Sequence, residues 1–334
     1  MASKSVSIII PTFNGATRIG DCLIALQKQT APVARDIVVV NDGSTDNTAE
    51  VVGRYPGVRL INQANAGPAA ARNRGAREAV ASIILFTDDD CIPSPDWVAR
   101  MLEPFDDPEV VGVKGSYSTH QTRLAARFVQ VEYEDRYRRM AGLRTIDFID
   151  TYSAAFRRDR FLEMNGYDTD FPVACAEDIE LSYRMSARGW KMEFAPSAVV
   201  YHTHPDSLRQ YLRKKYKFAY WRVLAVWKNP SKAVNDSHTP QLMKLQLLLA
   251  PILVPAVAYD LMAHPSMPAS PWVLAAFALS TLPFALRVVA KDPLLGFLAP
   301  VLLAARACAQ SLGVIAGAIG TWRKPVRAPA RLHV

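Results

Sequence analysis

The chain has 334 residues, half of them hydrophobic and about a fifth charged, and its formal net charge is +8. This length is enough for one large domain or two medium ones with a proper core. Four cysteines lie far apart without a Cys-x-x-Cys pair, so neither a disulfide framework nor a structural zinc site is indicated, and a reduced setting fits. We interpret Cys91 and Cys175, which adjoin acidic motifs, as small core residues, and we expect no signal peptide.

The first third of the chain alternates strand-like and helix-like segments. Four short apolar runs predict strands buried on both faces: residues 6–10, 36–40, 58–61 and 82–86. Residues 16–28 and 67–79 between them have the spacing or composition of helices. This alternation predicts an α/β fold, with a parallel sheet and crossover helices.

Polar, mostly acidic loops follow three of these strands. They are residues 11–15 (PTFNG), 41–46 (NDGSTD) and 87–90 (TDDD). Each loop alone also fits ordinary turn or helix-capping chemistry. Ligands of such sheets bind at the carboxyl ends of the strands, so we expect the three loops to converge on one ligand site.

Asp88 and Asp90 lie two positions apart directly behind a buried strand. In an extended segment their carboxylates share one side, and Asp89 points away. Two neighbouring carboxylates bind a hard divalent cation, and Mg²⁺ takes one or two of them together with substrate phosphates. The stretch therefore predicts a metal–diphosphate site, with a solvated acidic loop as the alternative.

The stretches SIIIPTFNG, VVVNDGSTDNT, NAGPAAARNRG and LFTDDDC occur in this order. Together they resemble the nucleotide-sugar half of inverting family 2 glycosyltransferases with the GT-A fold. The match covers roughly residues 5–205, whereas the glycine motifs of dinucleotide-binding and P-loop proteins are absent. The resemblance implies a Rossmann-like, mostly parallel sheet with flanking helices in residues 1–205. It also implies a nucleoside-diphosphate sugar as donor and Mn²⁺ or Mg²⁺ as cofactor.

The resemblance carries donor-binding roles to seven positions: Pro11, Thr12, Asn14, Asp42, Arg72, Asp88 and Asp89. Among these, Thr12 and Asp42 are implied as contacts to the base and ribose, and Asp42 can accept two hydrogen bonds. Arg72 is implied as a nucleotide contact, with a surface arginine as the alternative.

The implied metal ligands are Asp90, with Asp88 as a second, and His202 as a third. Imidazole suits Mn²⁺ better than Mg²⁺. His204 competes with His202 for this role.

Glu177 and Asp178 open a helix-like stretch in the second half of the domain. Acidic residues suit a helix N-terminus in any protein, because they complement its dipole. The resemblance implies Asp178 as the general base that deprotonates an acceptor hydroxyl. It implies that Glu177 orients the base or the acceptor, and Arg184 pairs with Glu180 one turn away.

Residues 206–232 carry eight basic residues against one acid, together with several aromatic side chains. Such clusters bind nucleic acid or anionic lipid, and the apolar stretches nearby favour membrane lipid and no nucleic acid. We predict a juxtamembrane interfacial helix here. Gln210 and Arg213 match part of the Gln-x-x-Arg-Trp signature of processive polysaccharide synthases, but Lys214 stands at the tryptophan position.

Residues 240–322 form the predicted membrane section. The apolar stretches at about 242–262 and 272–290 are long enough to span a bilayer. The loop between them lacks Lys and Arg, so the N-terminal domain is predicted to be cytoplasmic in a multi-pass protein of the inner membrane. Arg306 would be costly in the middle of a third span, so we expect residues 294–320 to be interfacial or re-entrant, followed by a basic cytoplasmic tail at 323–334.

Taken together, these features predict metal-dependent, inverting sugar transfer to a hydroxyl group of a lipid-linked glycan at the cytoplasmic membrane face. Three alternatives stay open: a polyprenyl-phosphate glycosyltransferase, a processive polysaccharide synthase, and a catalytically silent membrane scaffold. The identity of the sugar, nucleotide and acceptor is not encoded in these motifs.

Overall fold

The parallel strands predicted near the N-terminus form one half of a mixed sheet of eight strands. A computed structural model describes residues 5–171, 175–232, 236–237, 239–264 and 266–323. In this part of the chain the strands are β1 (Ser5–Thr12), β2 (Ala34–Asp42), β3 (Val58–Gln63), β4 (Ile83–Phe86), β5 (Cys91–Pro93), β6 (Val110–Ser118), β7 (Ala154–Arg157) and β8 (Lys191–His202). Their order across the sheet is β3-β2-β1-β4-β7-β6-β8-β5.

The helices of the first unit flank this sheet. They are α1 (Ile19–Gln27), α2 (Thr48–Gly53), α3 (Pro68–Glu78), α4 (Trp97–Leu102), α5 (Leu124–Met140), α6 (Arg158–Glu163) and α7 (Glu177–Ala187). Short 3₁₀ turns cover Glu103–Asp106, Thr151–Ser153 and Pro230–Lys232. Strands β1 to β4 pair in parallel, whereas β7 runs antiparallel to both its neighbours, β4 and β6.

Both faces of the central strands are buried, which accounts for their continuous apolar sequences. In β1, Ile8 and Ile10 pack into the apolar cluster that holds α1 and α4. Ile9 points to the other face and packs into the cluster that holds α3 and α6. Glycine at position 75 lets α3 approach this face closely, because a β-carbon there would overlap the side chain of Ile9.

The chain divides into two units, and the first is discontinuous. It comprises Met1–Ser207 and Ser231–Thr239. The returning segment is fastened within this unit: Lys232 Nζ lies 2.6 Å from Asp147 Oδ2, and the Ser237 amide donates to Asp147 Oδ1 at 2.7 Å. Arg139 adds a hydrogen bond of 2.9 Å to the Ser237 carbonyl oxygen.

The second unit comprises Leu208–Pro230 and Pro240–Val334. Its helices are α8 (Leu208–Lys228), α9 (Gln241–Ala263), α10 (Ser270–Val289) and α11 (Pro293–Arg323). Helices α9, α10 and α11 are each long and apolar enough to cross a membrane. These three apolar helices fit a membrane anchor. Apart from Arg323, the predicted basic tail lies outside the described residues.

Helix α11 is continuous, whereas a re-entrant segment would need a break in the middle. Its Arg306 is buried inside the unit and donates a hydrogen bond of 2.5 Å to Gln246 Oε1 of α9. Gln246 in turn donates to Ser280 Oγ of α10 at 3.2 Å. A charged side chain held by polar partners on neighbouring helices is the arrangement expected of an arginine in an apolar bundle. The placement of residues 294–320 as an interfacial or re-entrant segment stays a prediction.

Glycines on one face of α11 bring its backbone against α8. A β-carbon at Gly313 would overlap the carbonyl oxygen of Tyr216, and one at Gly317 would overlap that of Tyr220. Small residues allow this close approach of two helices.

Replacing Gly317 with valine is therefore expected to destabilise the second unit by about 1–3 kcal/mol, the usual cost of overpacking. Thermal unfolding of the full chain in detergent would measure the change. Ala318→Val is the matched control, since Ala318 is exposed on the same helix. Equal unfolding temperatures for the two variants would contradict the close packing.

Candidate active site

The loops after β1 and β4 meet at the carboxyl edge of the sheet through the Asp89 carboxylate. Thr12 Oγ1 donates to Asp89 Oδ2 at 2.6 Å, and Arg18 Nε donates to Asp89 Oδ1 at 2.7 Å. Burial raises the pKa of Asp89, and these hydrogen bonds partly counter the shift. A β-carbon at Gly15 would overlap Thr12 and Asp89, so the loop needs glycine there. In this arrangement Thr12 and Asp89 hold the two loops together.

The loops after β1 and β2 are also joined. Asn14 Oδ1 accepts a hydrogen bond of 2.8 Å from the Thr45 amide, and the Asn14 amide donates to Ser44 Oγ at 2.9 Å. Asn14 adopts a left-handed conformation with φ of 50°, which asparagine tolerates better than most residues. The neighbouring Pro11 is buried at the end of β1. These contacts fix the shape of the edge where the donor is predicted to bind.

Asp42 is buried, and its carboxylate accepts hydrogen bonds from the end of β3 and the loop that follows it. The amides of Ala66 and Gly67 each donate to it at 2.9 Å, and Gln63 Nε2 donates at 2.7 Å. Asp42 thereby fixes the loop that precedes α3. A direct contact from Asp42 to a base or ribose, as the resemblance implies, would have to share the carboxylate with these donors.

Arg72 lies inside the protein, with 2% of its surface exposed, and bridges two carboxylates. One terminal nitrogen is 2.7 Å from Asp88 Oδ1, and the other is 3.0 Å from Glu177 Oε1. The guanidinium carbon is also 5.9 Å from the ring centroid of Tyr167. The surface alternative for Arg72 is therefore wrong. Arg72 connects the loop after β4 to the N-terminus of α7.

Asp90 and His202 lie together, as their predicted role as metal ligands requires. His202 Nδ1 is 3.4 Å from Asp90 Oδ1. Burial acts to raise the pKa of Asp90, but the hydrogen bond and charge of His202 bring it below its usual value. Carboxylate oxygen and imidazole nitrogen together are donors that Mn²⁺ accepts. Asp88 differs in that its carboxylate pairs with Arg72.

His204 has a different environment. Its Nε2 lies 3.0 Å from Gln130 Oε1, and its ring stacks on Tyr133 with centroids 5.7 Å apart. The His202 ring stacks on Tyr117 at 4.8 Å. Of the two histidines, the structure brings His202 to Asp90.

Glu177 and Asp178 occupy the first turn of α7, behind Ala176 in a left-handed conformation with φ of 78°. A non-glycine residue in this region carries backbone strain, which is common next to functional groups. Asp178 is partly buried, and burial raises the pKa of its carboxyl, partly opposed by a hydrogen bond from the Ile179 amide. Glu180 pairs with Arg184 at 2.8 Å, as predicted from their spacing.

Burial and the neighbouring Asp178 raise the pKa of Glu177 to about 7. An unperturbed glutamate has a pKa of about 4.3. The folded state therefore holds this proton more tightly than the unfolded state does. The stability that Glu177 contributes is fully present below the unfolded value and is lost as the pH rises towards 7.

Replacing Glu177 with glutamine should remove this pH dependence. We expect the variant to gain stability relative to the native chain, by up to about 3 kcal/mol, between about pH 5 and pH 8. Unfolding temperatures of both proteins in detergent across this range would test it. Glu78→Gln, at an exposed ion pair, is the control and should show no such trend. If the difference in unfolding temperature between the native chain and Glu177→Gln stayed the same at every pH, the raised pKa of Glu177 would be contradicted.

A buried cluster around Lys114 adjoins this helix and was not predicted from the sequence. Lys114 has 1% of its surface exposed, forms an ion pair with Asp150 and lies 3.1 Å from the Tyr152 hydroxyl. Burial lowers the pKa of Lys114 well below its usual value, and the charge of Asp178 partly opposes this effect. The signal in the sequence was one lysine within the apolar strand VVGVKGSYS. Arg18 was also missed, because its partner Asp89 is distant in the chain.

Comparison with known protein families gives a match over residues 7–163 to the family described as Glycosyl transferase family 2. A poly-β-1,6-N-acetyl-D-glucosamine synthase of Staphylococcus aureus (strain COL) is 24% identical over 231 residues, which cover 65% of this chain and 54% of that protein. The Escherichia coli (strain K12) protein named "Uncharacterized glycosyltransferase YibD" is 41% identical over 93 residues, 27% of either chain. The chain thus spans about half the length, or less, of these curated relatives.

Among solved structures, the mannosyltransferase PcManGT from Pyrobaculum calidifontis, in complex with GDP-Man and Mn²⁺, is similar with a TM-score of 0.61. It is 24% identical in sequence, and the match covers 96% of this chain and 88% of that chain. At this identity the likeness concerns the fold. The predicted α/β sheet of the GT-A type, followed by apolar C-terminal helices, is confirmed.

Proposed function

This chain belongs to the family 2 glycosyltransferases through residues 7–163, and from that premise we propose a specific reaction for it. The enzyme transfers a sugar from a nucleoside-diphosphate sugar to an acceptor hydroxyl group, with inversion at the anomeric carbon. The donor binds along the edge formed by Pro11, Thr12, Asn14, Asp42 and the loop after β4.

One observation carries this proposal. Buried Arg72 contacts both Asp88, in the loop after β4, and Glu177, beside Asp178. One side chain therefore joins the loop that carries the candidate metal ligands to the first turn of α7, which carries the candidate base. A donor diphosphate and an acceptor hydroxyl need this proximity for direct displacement.

A divalent cation, held by Asp90 and His202 with Asp88 nearby, would stabilise the negative charge on the departing diphosphate. The acceptor hydroxyl loses its proton to the Asp178 carboxylate. Burial raises the pKa of Asp178, which moves it towards the range where a carboxylate is an effective base near neutral pH. Glu177, fixed by Arg72, orients the first turn of α7.

The membrane helices support an acceptor that is itself attached to lipid, at the cytoplasmic face of the inner membrane. The basic, aromatic sequence of α8 is suited to an anionic lipid surface. The Staphylococcus aureus relative is named as a polysaccharide synthase, which favours a hydroxyl of a glycan as the acceptor. Lys214 at the tryptophan position of the processive signature favours limited addition over long-chain polymerisation.

A donor screen on the purified full chain in detergent tests the proposal. Release of nucleoside diphosphate is followed for each common donor, with and without Mn²⁺, in the presence of membrane lipid extract as the source of acceptor. We expect metal-dependent release from one donor. Absence of release from all donors, with folding shown by a cooperative unfolding transition, would favour the silent scaffold.

A further inference from the structure

Three different kinds of metal-binding atom converge at the start of β5. Asp90 Oδ1 lies 3.4 Å from His202 Nδ1. The Cys91 sulfur lies 3.8 Å from the same Asp90 oxygen and 4.0 Å from the same His202 nitrogen. In the part of the chain that the structure describes, this is the one group of three His, Cys, Asp or Glu side chains so closely spaced.

The backbone explains why the thiol faces the other two groups. Cys91 and His202 are directly opposite each other in the antiparallel pair of β5 and β8. Side chains at opposed positions project to the same side of a sheet. Asp90 precedes the strand, and stacking on Tyr117 holds the imidazole ring in place. The arrangement is therefore set by strand register and ring packing.

The distances between the three atoms are close to those around a tetrahedral ion. With Zn–S near 2.3 Å and Zn–N and Zn–O near 2.0–2.2 Å, ligand atoms at tetrahedral angles lie about 3.4–3.6 Å apart. The observed separations of 3.4, 3.8 and 4.0 Å need shifts of a few tenths of an ångström. An ion can enter from the side of Asp90, whose side chain is 40% exposed.

We propose that Asp90, Cys91 and His202 form a three-ligand site for a thiophilic divalent cation, Zn²⁺, and that Cys91 is the ligand that makes it selective. Thiolate sulfur favours Zn²⁺ and disfavours Mg²⁺ and Mn²⁺, which prefer oxygen. The ion displaces the thiol proton to solvent on binding, and no redox change occurs. Three protein ligands leave a fourth position for water or a donor phosphate, as in catalytic zinc sites.

The proposed zinc site does not depend on the transfer reaction. It has one consequence that does rest on the proposed function. Zn²⁺ binds mixed nitrogen, oxygen and sulfur sites more tightly than Mn²⁺ does. Zn²⁺ at this position therefore competes with the ion that assists departure of the diphosphate. The protein would then respond to zinc as an inhibitor or as an alternative cofactor, according to the chemistry of the fourth position.

Cobalt titration tests the ligand set without any donor or acceptor. Co²⁺ substitutes for Zn²⁺, and a bound thiolate gives a charge-transfer band in the near ultraviolet. We expect the full chain in detergent to show this band, saturating at one equivalent of Co²⁺. Cys91→Ser and Cys91→Ala should both lose it, and Cys308→Ser, at an exposed cysteine, should keep it.

Zinc affinity provides the second measurement. Loss of a side chain that only hydrogen-bonds to a metal ligand typically weakens metal binding by about 10–100-fold. Loss of a ligand itself should weaken Zn²⁺ binding at least as much. We expect this for Cys91→Ala and His202→Ala, with a much smaller change in Mn²⁺ affinity for Cys91→Ala. Absence of the band in the native chain, or its persistence in a folded Cys91 variant, would overturn the proposal. Because no sugar nucleotide is present, either result is independent of whether the transfer reaction is correct.

Discussion

Replacement of Asp178 by asparagine is expected to lower the rate of sugar transfer by about 10²–10⁴-fold, the usual contribution of a general base. Asparagine has nearly the same shape as aspartate but cannot take a proton from the acceptor. The substitution does not alter the residues of the sheet edge where the donor is proposed to bind. Donor affinity should therefore stay within a few-fold of the native value while the turnover rate falls.

The measurement is nucleoside-diphosphate release at saturating donor, with donor affinity determined separately by calorimetry. Asp170→Asn is the control, because Asp170 is an exposed carboxylate in the segment before α7. If Asp178→Asn and Asp170→Asn turn over at the same rate, Asp178 is not the base. That result would favour a phosphate acceptor, which needs no deprotonation, as in the polyprenyl-phosphate alternative.

Replacement of Arg72 by methionine is expected to cost about 3–5 kcal/mol of stability at neutral pH and to abolish transfer. Removing one partner of a buried ion pair leaves the other charges without compensation. Arg72 pairs with two carboxylates, that of buried Glu177 and that of partly exposed Asp88. Methionine keeps most of the side-chain volume, so the loss reflects charge and hydrogen bonding more than packing.

The pH dependence of this loss has a definite sign. Without the arginine, the pKa of Glu177 rises further above its usual value, so the folded variant binds a proton more readily. The stability penalty of Arg72→Met should therefore shrink as the pH falls from about 8 to about 5. A pH-independent penalty would indicate that the effect comes from packing alone.

Arg74→Met on the same helix is the matched control. Arg74 forms an exposed ion pair with Glu78, and such pairs contribute about 0–1 kcal/mol. Unfolding temperatures of the two variants in detergent compare a buried and an exposed arginine directly. Similar unfolding temperatures for the two variants would contradict the structural role of Arg72 as a bridge between the loop after β4 and α7.

The four parallel strands β1 to β4 could be predicted from the sequence because their signals are local, whereas the antiparallel β7 was not predicted. Continuous apolar runs such as 6–10 and 82–86 are read from neighbouring residues, and parallel topology brings the loops behind them to one edge. The clustering of Asp90 with His202 followed from the resemblance. These features need no knowledge of distant contacts.

The contacts inside the site could not be predicted in the same way. Arg18 and Lys114 have partners far along the chain, and neither residue lies in a motif that indicates them. Asp42 was interpreted as a contact to the sugar nucleotide, but its carboxylate accepts three hydrogen bonds from residues that lie 21 to 25 positions further along the chain, at the turn before α3. For residues 294–320, the cost of Arg306 in lipid argued against a span. The hydrogen bond from buried Arg306 to Gln246 could not be predicted, because it depends on packing between helices.

The return of the chain to the first unit at Ser231 limits how this protein can be divided. A truncation after Ser207 removes the membrane helices, but it also removes Lys232 and Ser237, whose partners are Asp147 and Arg139. The Asp147 carboxylate, largely enclosed, then loses three donors at once. A water-soluble version of the enzyme therefore has to retain residues 231–239, joined to Ser207 by a replacement for α8. A truncation at a single position cannot separate the two units, because the first unit consists of two separate segments of the chain.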